Sequence, residues 1–228
     1  MTTRRVNLNT ESVDNYLKAI FTLGGPEEER VTSTTLAKRL GVAPASITNM
    51  LQKLASSAFP LVEYERRRGV RLTATGRRRA LEIVRHHRLL EAFLYEVLGY
   101  PIEEVHDEAE RLEHFISERF EDRINAKLGR PKFDPHGHCI PALDGRMPKQ
   151  VSKPLADIEK AGKFVVDSVS DQDALLLKQL KAHGVTPGAR LQVSNRSQEE
   201  FVLHVGSNSK TLHLSRALAG AVRIRSAD

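Results

Sequence analysis

The sequence predicts a mixed α+β chain in three segments. A compact helical N-terminal segment closes with a β-hairpin, two long charged helices follow, and the C-terminal part is a run of short β-strands. Three observations predict this. Apolar residues recur at helical spacing as far as about residue 128. A stretch rich in Pro and Gly, GRPKFDPHGHCIPALDGRMP, then breaks the periodicity. Beyond it, β-rich runs of a few residues follow one another closely.

The first helix is expected over Thr10 to Leu23, with Val13, Tyr16, Leu17, Ile20 and Phe21 on one face and Gly24-Gly25-Pro26 ending it. Leu36, Ala37 and Leu40 mark a second helix, stopped by Gly41. Pro44 suits the first turn of a third, which turns Ile47, Met50, Leu51 and Leu54 inward. Two helices joined by so tight a turn form a helix-turn-helix. Leu61, Val62, Tyr64, Val70 and Leu72 flank a turn at Arg67 to Gly69, a hairpin with an arginine-rich tip. A long helix is predicted from Ala74 to Leu98, capped by Thr73 and closed by Gly99 and Pro101. Another is predicted from Ile102 to Leu128, ended by Gly129 and Pro131. The runs KFVVDSV, ARLQVSN, EFVLHVG, KTLHLS and AVRIR, interrupted by one helical stretch from Gln172 to His183, predict a small β-barrel. The domains read as 1–73, 74–145 and 146–228.

Composition narrows the class. The chain has 228 residues, enough for two or three small domains, and 40% are hydrophobic, enough for a core in each. A single cysteine, Cys139, excludes an intrachain disulfide framework and points to a reducing compartment. The N-terminal residues lack the apolar core of a signal peptide, and no apolar run approaches the ~18 residues of a membrane span. A cytoplasmic protein without membrane partners is expected. The net charge of +6 is unevenly placed: 30–88 holds 13 Lys or Arg against 3 Asp or Glu, whereas 101–125 holds 3 Arg against 9 Asp or Glu. The first segment suits a polyanion and the second suits cations.

The stretch VHDEAERLEHFISERF explains the second. At about 100° per residue, His106, Glu110, Glu113 and His114 share one helical face, beside the apolar Val105, Ala109, Leu112 and Ile116. The preceding helix adds His87 and Glu91, four apart and next to Ile83, Leu90 and Leu94. Imidazoles and carboxylates gathered at the border of a core require a cation among them, and both are common metal ligands. The plain alternative is an acidic solvated helix with pairs such as Glu108 and Arg111. One His–Glu pair fits that alternative; six such residues on neighbouring helices favour metal. HGHC, with His136, His138 and Cys139, offers a separate metal cluster as one reading, but a structural loop is favoured, because three such close groups do not converge easily on one ion. His183, His204 and His213 read as barrel surface or core.

Together these strings resemble the diphtheria toxin repressor and manganese transport regulator family over nearly the whole chain. VDNYLKAIFTL is similar to its first helix, GVAPASITNMLQKL to its recognition helix, and VRLTATGRRRA to its wing and exit. HHRLLEAFL and VHDEAERLEH resemble its ligand-bearing helices, DPHGHCIP its following loop, and LKAHGVTPGARLQV its FeoA-like barrel. The resemblance implies a winged helix-turn-helix, a helical dimerisation and metal-binding domain, and a FeoA-like domain. It implies a homodimeric repressor, not an enzyme, that binds palindromic half-sites in double-stranded promoter DNA with Mn(II) or Fe(II) as co-repressor.

Carried over by position, His87, Glu91 and His106 match an ancillary metal site, and Glu110, Glu113 and His114 match the primary one. Glutamate at 110, where iron-type members have cysteine, sides with manganese. Asn15 stands where the family has Met or Asp, and Lys18 where manganese-type members often add Glu. Asp171, Gln172 and Asp173 are the nearest candidates for barrel residues that complete the ancillary site. On the recognition helix, Ser46, Thr48 and Asn49 sit in the half that meets base edges, and Lys53 suits a phosphate. Arg66, Arg67 and Arg68 on the wing suit backbone or minor groove.

Two rival readings stand beside this one. Glu103 to His106 is one E-x-x-H motif of a di-iron carboxylate enzyme, but Arg111 occupies the position a second motif would need before His114. A DNA-binding module that ignores metal would use the acidic stripe only as a dimer surface.

Overall fold

A computed structural model describes residues 11–25, 28–148, 150–206 and 211–227. They form two compact units, 11–86 with 141–146, and 87–140 with 147–227. Among the described residues no helix is long and apolar enough to cross a membrane.

The first unit holds α1 (Glu11–Gly24), α2 (Ser33–Leu40), α3 (Pro44–Ala55), the hairpin β1 (Val62–Glu65) and β2 (Gly69–Leu72), and the start of α4 (Ala74–Glu96). Gly41, Pro44 and Thr73 act where the sequence places them, while Pro26 lies outside the described residues. Thr32 caps α2, its side chain accepting from the Thr35 N–H, and Gly41 ends it at φ 64°, where a Cβ would be strained. Pro44 opens α3. Thr73 caps α4, accepting from the Gly76 N–H at 3.1 Å. Leu17, Leu36, Ile47, Leu51, Leu54 and Val70 are wholly buried in one core, so the helix-turn-helix and the hairpin are a single packed body. Gly69, at φ 93°, lets Val31 pair with Val70: a Cβ there would come 2.5 Å from the Val31 carbonyl oxygen.

The second unit continues α4 and adds α5 (Val105–Leu112) and α6 (Glu118–Lys127). One helix over 102–128 was expected, and the structure divides it. Glu113 is the C-cap of α5, and Ser117, at φ −89° and ψ 156°, starts α6 by accepting from the Phe120 N–H. The serine side chain satisfies an otherwise orphaned donor, so a fresh helix start competes with continuation. Consequently His114 lies past the end of α5, not on its face.

After a long loop, β3 (Lys153–Pro154), a 3₁₀ turn at Leu155–Asp157, β4 (Gly162–Val169), α7 (Ala174–Ala182), β5 (Arg190–Arg196), β6 (Glu200–Val205), β7 (Leu212–Ser215), α8 (Arg216–Gly220) and β8 (Val222–Ser226) complete the chain. The strands form one antiparallel sheet in the order β3-β8-β4-β5-β6-β7. The expected barrel is therefore not closed. β3 is only two residues long and ends in Pro154, which has no N–H for a further ladder, and β7 forms the other edge. One face of the sheet buries Val166, Leu191, Val193, Phe201, Leu203 and Ile224 against Leu177 and Leu180 of α7. β3, the 3₁₀ turn and α8 carried no distinct sequence signal.

Candidate metal centre and DNA-contact residues

Several segments of the second unit bring metal-type side chains together. α4 supplies His87 and Glu91, α5 supplies His106 and Glu110, and the α5–α6 connection supplies Glu113 and His114. The loop Asp134–Cys139 supplies two further imidazoles and a carboxylate, and Asp171 follows β4.

His87 lies at the centre. Its Nδ1 is 2.6 Å from Glu113 Oε2, and its Nε2 is 3.0 Å from Glu91 Oε1 and 3.1 Å from His106 Nδ1. His106 Nδ1 is 3.3 Å from Glu91 Oε1. Donor atoms bound at ~2.1 Å around one ion lie roughly 3.0–3.4 Å apart. The edges of the His87–Glu91–His106 triangle match that spacing. Glu113 beside Nδ1 leaves Nε2 as the nitrogen that faces the triangle, the orientation that a carboxylate partner gives a metal-binding imidazole.

Two groups extend the triangle. Asp171 Oδ2 lies 3.7 Å from His106 Nδ1 and 3.6 Å from His138 Nδ1. His136 Nδ1 lies 3.6 Å from Glu91 Oε1, while its Nε2 donates to the Ile102 carbonyl at 3.2 Å. The loop holds its shape through Asp134, whose Oδ1 accepts from the His136 and His138 N–H groups at 2.8 and 2.9 Å. Its two imidazoles also face the cluster, and ligand-type atoms of Asp134, His136 and His138 lie within 4.8 Å of one another, so a structural loop is not its whole description. Cys139 turns away, its Sγ 3.9 Å from the Pro148 carbonyl oxygen. Burial pushes that thiol's pKa up, so it offers no thiolate.

On the primary side, Glu113 Oε1 is 3.4 Å from His114 Nε2, and Glu110 Oε1 is 3.8 Å from His106 Nε2. Ligand-type atoms of His87, Glu110 and Glu113 lie within 4.8 Å of one another, as do those of His87, Glu91, His106 and Asp171. The two sets are joined through His87 and Glu113. Of the three barrel candidates only Asp171 faces the cluster. Gln172 donates to Asp171, and Asp173 caps α7, accepting from the Leu176 N–H at 3.0 Å. Asn15 is half-buried on α1.

Burial gives this arrangement its chemistry. Glu91, Glu113 and His136 have no solvent exposure. Burial favours the neutral Glu91 carboxyl, but the His87 charge and contacts with His106 and His136 outweigh it and hold the pKa well below the usual range. Burial likewise opposes charging His136, yet its contact with Glu91 and the charges of Glu91, Asp134 and Asp171 push its pKa up to about 9. His138 is raised and Asp171 lowered by the same opposition between burial and opposite charge. The buried carboxylates favour a positive charge beside them, whether a proton on an imidazole or a metal ion. Glu91 Oε2, Asp134 Oδ2 and His136 Nδ1 are buried and make no hydrogen bond among the described residues, so the donor set fits a divalent ion. Asp134, His136, His138 and Asp171 were underrated in the sequence because their only signal is proximity in space.

On the first unit, Ser46, Asn49 and Lys53 are exposed along α3. Thr48 is half-buried and donates to the Pro44 carbonyl at 3.2 Å. Arg66, Arg67 and Arg68 form the exposed hairpin turn, with Arg67 at φ 82° and Arg68 3.1 Å from Glu65.

A helix-turn-helix with an arginine-tipped wing, on a chain that also carries a buried imidazole–carboxylate cluster, defines a metal-responsive DNA-binding regulator. Comparison with known proteins supplies the family. The model of the iron dependent repressor N-terminal DNA binding domain matches 9–70, that of the iron dependent repressor metal binding and dimerisation domain matches 73–142, and the FeoA domain matches 153–226. The iron-dependent repressor IdeR of Mycobacterium tuberculosis is 30% identical over 203 residues, covering 82% of this chain and 86% of that protein. The diphtheria toxin repressor of Corynebacterium diphtheriae is 26% identical over 231 residues, covering 94% and 96%. A manganese-dependent transcriptional repressor solved in complex with manganese superposes with a TM-score of 0.86 at 38% identity, over 94% of this chain and 99% of that one. The chain belongs to the iron-dependent repressor family of metal-dependent transcriptional repressors. Its relatives are repressors and not enzymes, which sets aside the di-iron enzyme reading.

Proposed function

We propose that the chain is a cytoplasmic Mn(II)- or Fe(II)-activated repressor that binds palindromic promoter half-sites as a homodimer. The boundaries we assign are 1–73 for DNA binding, 74–145 for dimerisation and metal, and 146–228 for the linker and FeoA domain. The observation that carries the metal reading is the buried cluster of imidazole nitrogens and carboxylate oxygens with no thiolate among them. Such donors suit Mn(II) or Fe(II) in the cell. The 38% identical relative is a manganese-dependent repressor, which favours manganese here.

His87, Glu91 and His106, joined by Asp171, would hold an ion at the ancillary site, and Glu110, Glu113 and His114 would hold one at the primary site. Asn15 is carried over from the family resemblance as the remaining oxygen donor of the primary site. The ion would supply a positive centre that binds these donors in one arrangement and favours the DNA-binding state over others. In that state Ser46, Thr48 and Asn49 read base edges, and Lys53 with Arg66, Arg67 and Arg68 hold phosphates. Two-fold symmetry would set two recognition helices about 34 Å apart, one helical turn of DNA.

Glu113→Ala tests the site. The variant should fold yet lose the Mn(II) stimulation of binding to the fragment upstream of its own gene, read by fluorescence anisotropy. An unchanged metal response in the folded variant would overturn the assignment.

A further inference from the structure

The sheet of the C-terminal part has a second face. The strand register puts Val165 of β4 directly between Arg190 of β5 and Arg225 of β8. Side chains alternate between faces, so these three share one face, opposite the one that buries Val166, Leu191 and Ile224. Lys163 stands two residues along β4 on the same face, beside Gln192. Lys163, Arg190 and Arg225 are exposed, and Val165 is half-buried. Arg190 and Arg225 lie two strand spacings apart, about 10 Å, and Lys163 lies about 7 Å along the strand from Val165. The carboxylate within ion-pair reach of this trio is Asp167, 3.4 Å from Arg225; Lys163 and Arg190 make no ion pair among the described residues.

Two arginines about 10 Å apart flank one valine, with Asp167 the carboxylate beside them, so this face carries a net positive charge. Such a surface is stabilised by an anion laid across it. The guanidinium forks of Arg190 and Arg225 match phosphate oxygens in geometry, and Lys163 adds a point charge. Duplex DNA presents a phosphate every ~3.4 Å of axis on each strand, a spacing that long flexible cations can engage. A chain already held on DNA by its recognition helix meets that polyanion at a high effective concentration. A free acidic partner has no such advantage.

We propose that the open face of the C-terminal sheet, through Lys163, Arg190 and Arg225, is a second DNA-backbone contact. It rests on the family's DNA-binding activity and adds sequence-independent affinity to the recognition helix. None of the three residues lies on the helix-turn-helix, the wing or the metal cluster.

The test uses the full-length protein with Mn(II), a fluorescent 40-base-pair duplex of arbitrary sequence, and the triple variant Lys163→Gln/Arg190→Gln/Arg225→Gln. Each phosphate contact contributes ~0.9 to the slope of log affinity against log salt. The variant should bind about tenfold or more weakly, with a slope shallower by about 2.7, while its thermal unfolding and Mn(II) binding match the wild type. A parallel Arg66→Gln/Arg67→Gln/Arg68→Gln variant should lose slope independently, and the losses should add. A wild-type slope in the sheet variant overturns the proposal, as does weaker binding to a poly-glutamate probe with DNA binding intact, which would assign the face to an acidic polypeptide. If the wild type itself bound no duplex, the family-level reading would fail instead, a result distinct from either.

Discussion

Replacing Gly137 by alanine should unseat the metal-facing loop from the sheet. Gly137 sits at φ +87°, a region where an L side chain costs about 1–2 kcal/mol. A Cβ there would overlap the Asp167 carbonyl oxygen of β4 and lie 3.0 Å from Ser168 Cα. Both neighbours are backbone and cannot rotate aside, so overpacking adds about 1–3 kcal/mol. The two terms sum to roughly 2–5 kcal/mol, or a fall in Tm of about 4–20 °C for a chain of this size. Gly129, at φ +71° with nothing within 4 Å of its Cβ, is the control: Gly129→Ala carries the backbone term alone, about 2–8 °C. The consequence reaches the metal centre. The Val169 N–H donates to the His136 carbonyl at 2.9 Å, and Asp171 follows two residues later. A displaced loop therefore moves His136 away from Glu91 and His138 away from Asp171. Thermal unfolding in chelator, followed by a Mn(II) titration of Tm, reads both effects. A Gly137→Ala protein that melts no lower than Gly129→Ala, with the wild-type response to Mn(II), would refute the reasoning.

Three further outcomes are expected. Arg66→Ala/Arg67→Ala/Arg68→Ala should weaken binding to cognate and unrelated duplexes alike and flatten the salt slope by about 2.7, since phosphate contacts release counterions; loss confined to the cognate site at an unchanged slope would mean that the wing reads bases. Asn15→Asp should lower the Mn(II) concentration for half-maximal DNA binding, because a hard cation gains most from anionic oxygen, and Asn15→Ala should raise it; three superimposable titrations would show that Asn15 is not a ligand. In chelator, stability should decline from about pH 6.5 to 9. The folded pKa of His136 is raised from 6.5 to about 9, so its contribution is complete below the unfolded value and lost as pH rises through the folded one. Thermal unfolding across that range should show a decline that His136→Asn diminishes, and a profile identical in the two proteins would count against it.

Much of the helical part was legible because its signals are local. Gly41, Pro44 and Thr73 act within one turn of where they stand, and the 3.6-residue periodicity of 13–21 and 36–54 identifies the face that becomes the core. The break between α5 and α6 was missed because apolar spacing continues across it, and only the capping geometry of Ser117 decides in favour of a new helix. The openness of the sheet was hidden for a related reason. Alternation of apolar residues sets which side chains face inward but does not say whether the edge strands meet. That is decided by a two-residue β3 ending in proline.

The sequence by itself determined the local elements, the segregation of basic and acidic segments, and the donor pairs on the helices, because each depends on residues a few positions apart. His87 with Glu91, and His106 with Glu110, follow from helical spacing alone. Only the tertiary structure decided which donors converge. Asp171 reaches His106 and His138, and His136 reaches Glu91, because β4 holds the loop through the Val169–His136 hydrogen bond and the side-chain-free surface of Gly137. Those contacts join segments far apart in the chain, and no periodicity encodes them. Long-range packing of backbone against backbone sets the few ångströms that turn scattered histidines and carboxylates into one buried cluster.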